Sequence, residues 1–254
     1  MIDTDICSTD VISGRQVVET KGCYSILEYN KLSGYSAANP AESFFRAKQG
    51  IKKRQVIAQI ENGKSVILQA GAMQMMLGNI VSDANTGGVG GVVKNFFGAK
   101  ATGESVVKPK YSGDGVLILE PTWNFILLED LADWGGSMVI DDGLFLSCES
   151  TVEMKVVARQ NLSSAIVGGE GLFNTMLIGK GTVALESKMP RNELICIELQ
   201  NDTVKIDGNM AIAWSGSLQF TVERSMKGFI DSAISKEGFV NVYRGTGRIL
   251  VAVT

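Results

Sequence analysis

The sequence predicts an all-β fold, a sandwich or barrel of three related units of about 65 residues, each with a short amphipathic helix. Three observations point there. Most of the chain divides into short runs rich in Val, Ile, Leu, Thr and aromatic residues, closed off by Gly, Asn and Asp. Few stretches of helical period lie between them. One pattern, a glutamate followed by an apolar run and a G-x-G, returns three times.

Residues 1–53 read as an N-terminal arm. The first ten, MIDTDICSTD, are acidic and polar, unlike the basic-then-apolar start of a secretory signal. SILEYN (25–30) has the composition of a strand. Next comes a helix start: Asn39 as N-cap, Pro40 at the first helical position and Glu42 three residues after the cap, a capping-box spacing. Gly50 is placed to end that helix.

The remainder, 54–254, reads as one β domain. Its strand-like runs include VIAQI, SVILQA, GVLILE, NFILLE, VEMKVVA, TVALE, LICIEL, LQFTVE and RILVAV. Segments starting at Gly103, Gly169 and Lys236 align, with Glu104, Glu170 and Glu237 at the second position. Each segment passes through Gly113-Asp114-Gly115, Gly179-Lys180-Gly181 or Gly245-Thr246-Gly247 and ends in an apolar run. Upstream, the run from Arg54 resembles the run from Arg191, and that from Trp123 fits between them with a longer turn. The units are therefore 54–120, 122–187 and 190–253.

A glycine-rich stretch, NTGGVGGVVKNFFGAK (85–100), poses the sharpest functional question. A phosphate loop needs G-x-x-x-x-G-K-[ST] after a strand, and GGVGGVVK has neither that spacing nor the hydroxyl. Val89, Val92, Val93, Phe96 and Phe97 instead fall at i, i+3, i+4, i+7 and i+8, one apolar stripe of a helix. Met226, Phe229, Ile230, Ala233 and Ile234 repeat that spacing, and Ala158, Leu162, Ala165 and Ile166 give a weaker version. The stripe at 89–97 is expected to pack on the sheet or on a neighbouring subunit. Contact with a membrane surface is the competing reading.

The three aligned glutamates are the candidate metal ligands. Glu104, Glu170 and Glu237 would form a carboxylate ring about a pseudo-threefold axis, but one acid per unit is a thin donor set. Capping of backbone N–H groups explains them as well, so no metal and no cofactor is expected. The acids Glu129, Asp130, Asp133, Asp141 and Asp142 crowd one long turn, read as a solvated hairpin end.

Composition excludes more than it selects. Among 254 residues there is no histidine, which removes Ser-His-Asp and Cys-His chemistry and most zinc sites. The net charge of -3 and the scatter of Lys and Arg argue against nucleic acid as partner. Lys52, Lys53 and Arg54 form the densest basic group, too short for a basic tract. None of the four cysteines forms a CxxC pair. Cys148 and Cys196 lie in apolar runs as expected buried thiols, while nothing marks Cys7 or Cys23 as activated. Trp214 reads as core. Met73, Met75 and Met76 suit an adaptable core or interface.

LEYNKLSG, FFRAKQGIKKRQV, the AGAM within SVILQAGAMQMM, GGEGLF (168–173) and the closing G-x-G strands resemble the family named for altered inheritance of mitochondria. The resemblance spans nearly the whole chain, although SKEGFV stands where a second GGEGLF would be expected. It implies an all-β fold similar to the tryptophan RNA-binding attenuation protein and grouped with double-stranded β-helices. It supplies no catalytic residues, and RNA binding does not follow from the fold.

The expected function is a non-enzymatic, cytoplasmic scaffold that forms homo-oligomers and meets protein partners, the interaction surface being Val89, Val92, Val93, Phe96 and Phe97. A small-ligand or metal-binding module is the alternative.

Overall fold

A strand shows its two faces alternately to its surroundings, so a strand apolar on both faces needs cover on both. Several runs here have that character. The computed structural model describes Ile6 and residues 14–30, 39–83, 108–158, 173–224 and 239–253. In chain order the strands are β1 (Arg15–Lys21), β2 (Tyr24–Tyr29), β3 (Lys53–Ile60), β4 (Ser65–Leu68), β5 (Met73–Asp83), β6 (Lys110–Leu119), β7 (Phe125–Asp130), β8 (Ser137–Ile140), β9 (Phe145–Glu149), β10 (Val152–Ala158), β11 (Phe173–Gly179), β12 (Thr182–Ser187), β13 (Ile195–Asp207), β14 (Ala211–Ser215), β15 (Gln219–Arg224) and β16 (Phe239–Val251). A single α-helix, α1 (Pro40–Lys48), lies among the described residues.

The strands form two antiparallel sheets. The first runs β1-β2-β3-β6-β4-β9-β12-β7, with β5 also paired to β6. The second runs β10-β11-β8-β14-β16-β13, with β15 also paired to β16. The N-terminal strands are part of the first sheet, since β2 pairs along β3 from Tyr24↔Ala58 to Tyr29↔Lys53. That sheet curls until its ends approach: Lys21 Nζ on β1 donates to the carbonyl of Leu128 on β7 at 2.8 Å. An isolated bridge between Arg54 and Thr122 adds to the approach.

Three apolar clusters follow from strand alternation. Tyr24, Ile26, Val56, Ala58, Leu117, Leu119, Ile126 and Leu128 fill the inside of the first sheet. Their neighbours on the opposite face, Leu127, Val183 and Leu185, meet Met138, Ile140, Leu177, Ala213 and Leu250 of the second sheet. Val139, Trp214, Ile249 and Val251 point to the far side of the second sheet, where Trp214, Phe220 and Tyr243 cluster with ring centroids 5.2 to 5.5 Å apart. Burying each Val, Leu, Ile or Met among them removes apolar surface worth roughly 1.5–3 kcal/mol.

The pairings around β6, β11–β12 and β16 share several features. The first glycine of each G-x-G has a positive φ: 124° at Gly113, 126° at Gly179 and 119° at Gly245. The strand alongside breaks opposite that point. β3 gives way to β4, β7 to β8, and β13 shifts register between Leu199 and Asp202. On the other edge, β5, β9 and β14 each carry an irregularity, between Met73 and Met75, at the β9–β12 pairing, and between Ala211 and Ala213. Glu120, Glu186 and Ala252 then donate their N–H groups to the carbonyls of Ala72, Leu144 and Met210, each at 2.7 Å. The connections differ: β6 and β16 are unbroken through G-x-G, whereas β11 and β12 are separate strands.

Some expectations require correction. Ala158, read as the start of an apolar helical stripe, belongs to β10 and pairs with Phe173, because the β-rich run VEMKVVA continues through it. The rest of that stripe, both other stripes with Val89, Val92, Val93, Phe96 and Phe97, and Glu104, Glu170 and Glu237 lie outside the described residues. Cys148 is buried as expected, but Cys196 is exposed, since β13 forms an edge of the second sheet. Glu129 is no solvated turn residue either. It is the penultimate residue of β7, a strand covered on both faces, and it is buried.

Candidate functional site

Among the described residues, the buried and half-buried carboxylates Glu28, Glu129, Glu149 and Glu186 each have a structural partner. Glu28 on β2 accepts from Lys52 Nζ at 2.8 Å and from Arg54 at 2.7 Å. The Arg54 guanidinium also lies 4.3 Å from the Phe125 ring centre. These contacts fasten the entry to β3, so the Lys52-Lys53-Arg54 group is structural in part. Glu129 accepts from the Trp134 indole at 3.2 Å, with Arg191 at 3.5 Å. Asp130 caps the short 3-10 helix Leu131–Trp134 by accepting from Ala132 N. Glu149 accepts from Thr182 N at 3.0 Å, and Glu186 accepts from Thr122 and Asn124.

The buried thiols and phenol are quiet. Burial, and then the charge of Glu149, push the Cys23 thiol up to about 12. Burial raises Cys148 further, and Tyr24 in the same interior is raised for the same reason. A thiol shifted upward stays protonated and is a poor nucleophile. Among the described residues, no group of three or more Cys, Asp or Glu is placed to hold a metal ion.

What the surface does offer is apolar. In β5, MQMMLGNIVSD, Met75 is 44% exposed, Met76 39% and Val81 59%. β5 pairs with β6 along its length, and its other edge meets no strand among the described residues. The second feature is α1. Its start follows the sequence reading: Asn39 Oδ1 accepts from Glu42 N at 3.1 Å, and Asn39 Nδ2 donates to Glu42 at 2.9 Å. Gln49 ends it and Gly50 follows at φ 76°. No residue of the helix is buried, and Phe44 and Phe45 are 62% and 61% exposed. Exposed aromatic and methionine side chains of this kind mark interaction surfaces more often than catalytic ones. The methionine triplet was the sequence signal for β5. For Phe44 and Phe45 the only signal was their position in an isolated short helix.

The family described as mitochondrial biogenesis AIM24 matches residues 45–253. The chain belongs to that family. An AIM24 relative, an uncharacterized protein of Streptococcus pyogenes serotype M6, is 31% identical over 200 residues, covering 76% of this chain and 78% of its own length. The AIM24 chain is also similar to a crystal structure of a Streptococcus pyogenes protein, with a TM-score of 0.56 at 29% identity over 80% of this chain and 89% of that one.

Proposed function

We propose that this AIM24-family chain is a non-catalytic β scaffold, built from the units 54–120, 122–187 and 190–253, that associates with copies of itself. One observation carries the reading: β5 presents Met75, Met76 and Val81 to solvent along an edge that meets no strand among the described residues. Exposed edges bearing apolar side chains are templates for further pairing. The commitment of Glu28, Glu129, Glu149 and Glu186 to structural partners supports a non-catalytic role, since each would have to leave an ion pair, a backbone bond or side-chain hydrogen bonds to act.

Sedimentation equilibrium of the purified chain tests this. The expected result is an average mass that rises above the monomer as concentration increases. A single monomeric species across the range overturns the reading.

A further inference from the structure

We infer that the outer edges of β5 and β13 pair with each other between two copies of this chain, continuing a strand pairing the chain makes twice internally. The inference rests on the self-associating reading and names the surface that reading uses.

Within the chain, β4 pairs with β9 and β8 with β14, both antiparallel. Counted from the first glycine of each G-x-G, the two junctions coincide. Leu68, Ile67 and Val66 face Ser147, Cys148 and Glu149, as Ile140, Val139 and Met138 face Ala213, Trp214 and Ser215. The same two backbone bonds close each junction. Gln69 N–H donates to Leu146 O at 2.8 Å where Asp141 N–H donates to Ile212 O at 2.9 Å. At the other end Ser150 N–H donates to Ser65 O where Gly216 N–H donates to Ser137 O, both at 2.9 Å.

The same count places β13 and β5 in a third junction. Thr203, Val204 and Lys205 face Arg244, Tyr243 and Val242, the three residues before Gly245. Ser65, Val66 and Ile67 face Ser112, Tyr111 and Lys110, the three residues before Gly113. Val204, Lys205 and Ile206 therefore stand where Val66, Ile67 and Leu68 stand. On β5, the irregularity between Met73 and Met75 matches that between Ala211 and Ala213, so Met75, Met76 and Leu77 take the places of Ala213, Trp214 and Ser215.

The register follows: Met75 opposite Ile206, Met76 opposite Lys205 and Leu77 opposite Val204. Asp207 N–H would donate to Gln74 O, and Gly78 N–H to Thr203 O. Among the described residues, however, β13 pairs only with β16 and β5 only with β6.

The exposures fit a missing partner. Met75 and Met76 are 44% and 39% exposed, while Cys148 and Ala213 at paired junctions are 0% exposed and Trp214 is 4%. A junction between different edges of two copies is head-to-tail, so it closes into a ring or extends as a filament. Lys205 replaces the apolar Ile67 and Val139 of the internal junctions. An edge lysine restrains indiscriminate pairing.

Disulfide trapping tests the register in a chain carrying Cys7→Ser and Cys196→Ser. Leu77→Cys and Val204→Cys are placed in separate chains, which are mixed and oxidised. A linked dimer of the two variants is expected, because opposed residues of a narrow antiparallel pair bring their Cβ atoms within disulfide reach. An intrachain bond in the double variant at high dilution overturns the proposal, since the edges would then meet within one chain. Assembly seen by sedimentation without any trapped dimer also overturns it, while leaving self-association standing. Independently, Lys205→Pro removes an N–H aimed at the β5 edge. It is expected to weaken association at least tenfold with the circular dichroism unchanged, and undiminished association overturns the proposal.

Discussion

Tyr24 and Ser147, 123 positions apart in sequence, share a buried hydrogen bond of 2.8 Å between their hydroxyls. Tyr24 is fully buried on β2 and Ser147 fully buried on β9, so the bond ties the N-terminal strands to the middle of the curled first sheet. Tyr24→Phe leaves the Ser147 hydroxyl without this partner. It should cost about 1–2 kcal/mol in urea unfolding, and adding Ser147→Ala should recover part of that loss. A purely additive pair of losses would mean the bond contributes nothing.

The G-x-G glycines should not be equally sensitive. A Cβ at Gly113 would lie 2.0 Å from the Asn79 carbonyl oxygen, whereas at Gly245 the nearest atom is a Leu218 methyl at 3.7 Å. Both have a positive φ that other residues avoid. Gly245→Ala should therefore cost about 1–2 kcal/mol from backbone strain alone. Gly113→Ala adds a backbone clash and should lower the unfolding midpoint markedly more. Equal losses would show that the close approach of β5 and β6 at Gly113 does not constrain the fold.

Glu28 holds two cations of unequal value. The Arg54 side chain is 14% exposed and that of Lys52 37%, against 11% for Glu28. Arg54→Ala should cost about 3 kcal/mol, since it strips a largely buried carboxylate of its better partner. Lys52→Ala should cost under about 1 kcal/mol, as for exposed pairs. Chemical denaturation of the two variants gives the ranking directly, and a reversed order would contradict this assignment.

Alkaline pH should destabilise the fold. Cys23, Cys148 and Tyr24 are all raised by burial, so the folded chain keeps protons that the unfolded chain releases. For Cys23 the loss begins as pH passes 9.0, the unshifted value, and continues to about 12. Each group contributes a slope of about 1.4 kcal/mol per pH unit inside its window. Melting temperature should fall across this range, and Cys148→Ala should flatten the fall. A melting temperature independent of pH there would contradict the burial of these thiols.

How much of this was legible depends on whether the signal was local. The Asn39-Pro40-Glu42 cap is local chemistry, and the helix starts where those residues place it. The strand runs around Val56, Leu117, Leu128 and Leu250 are apolar enough to declare themselves. β1 was missed because RQVVETK is mostly polar and exposed, and it becomes a strand by pairing with β2. Glu129 looked like surface charge, because its indole partner reaches it only after the short 3-10 helix folds back. Cys196 and Met75 show the converse: apolar patterning signals a strand but does not reveal that the strand lies at a sheet edge, which depends on distant segments.

Amide hydrogen exchange measured as a function of protein concentration addresses the central claim most directly. The account predicts that amides of β5 and β13, including Gly78 and Asp207, exchange more slowly as concentration rises, while amides between β4 and β9 do not change. Protection in β5 and β13 that is the same at low and high concentration would contradict it.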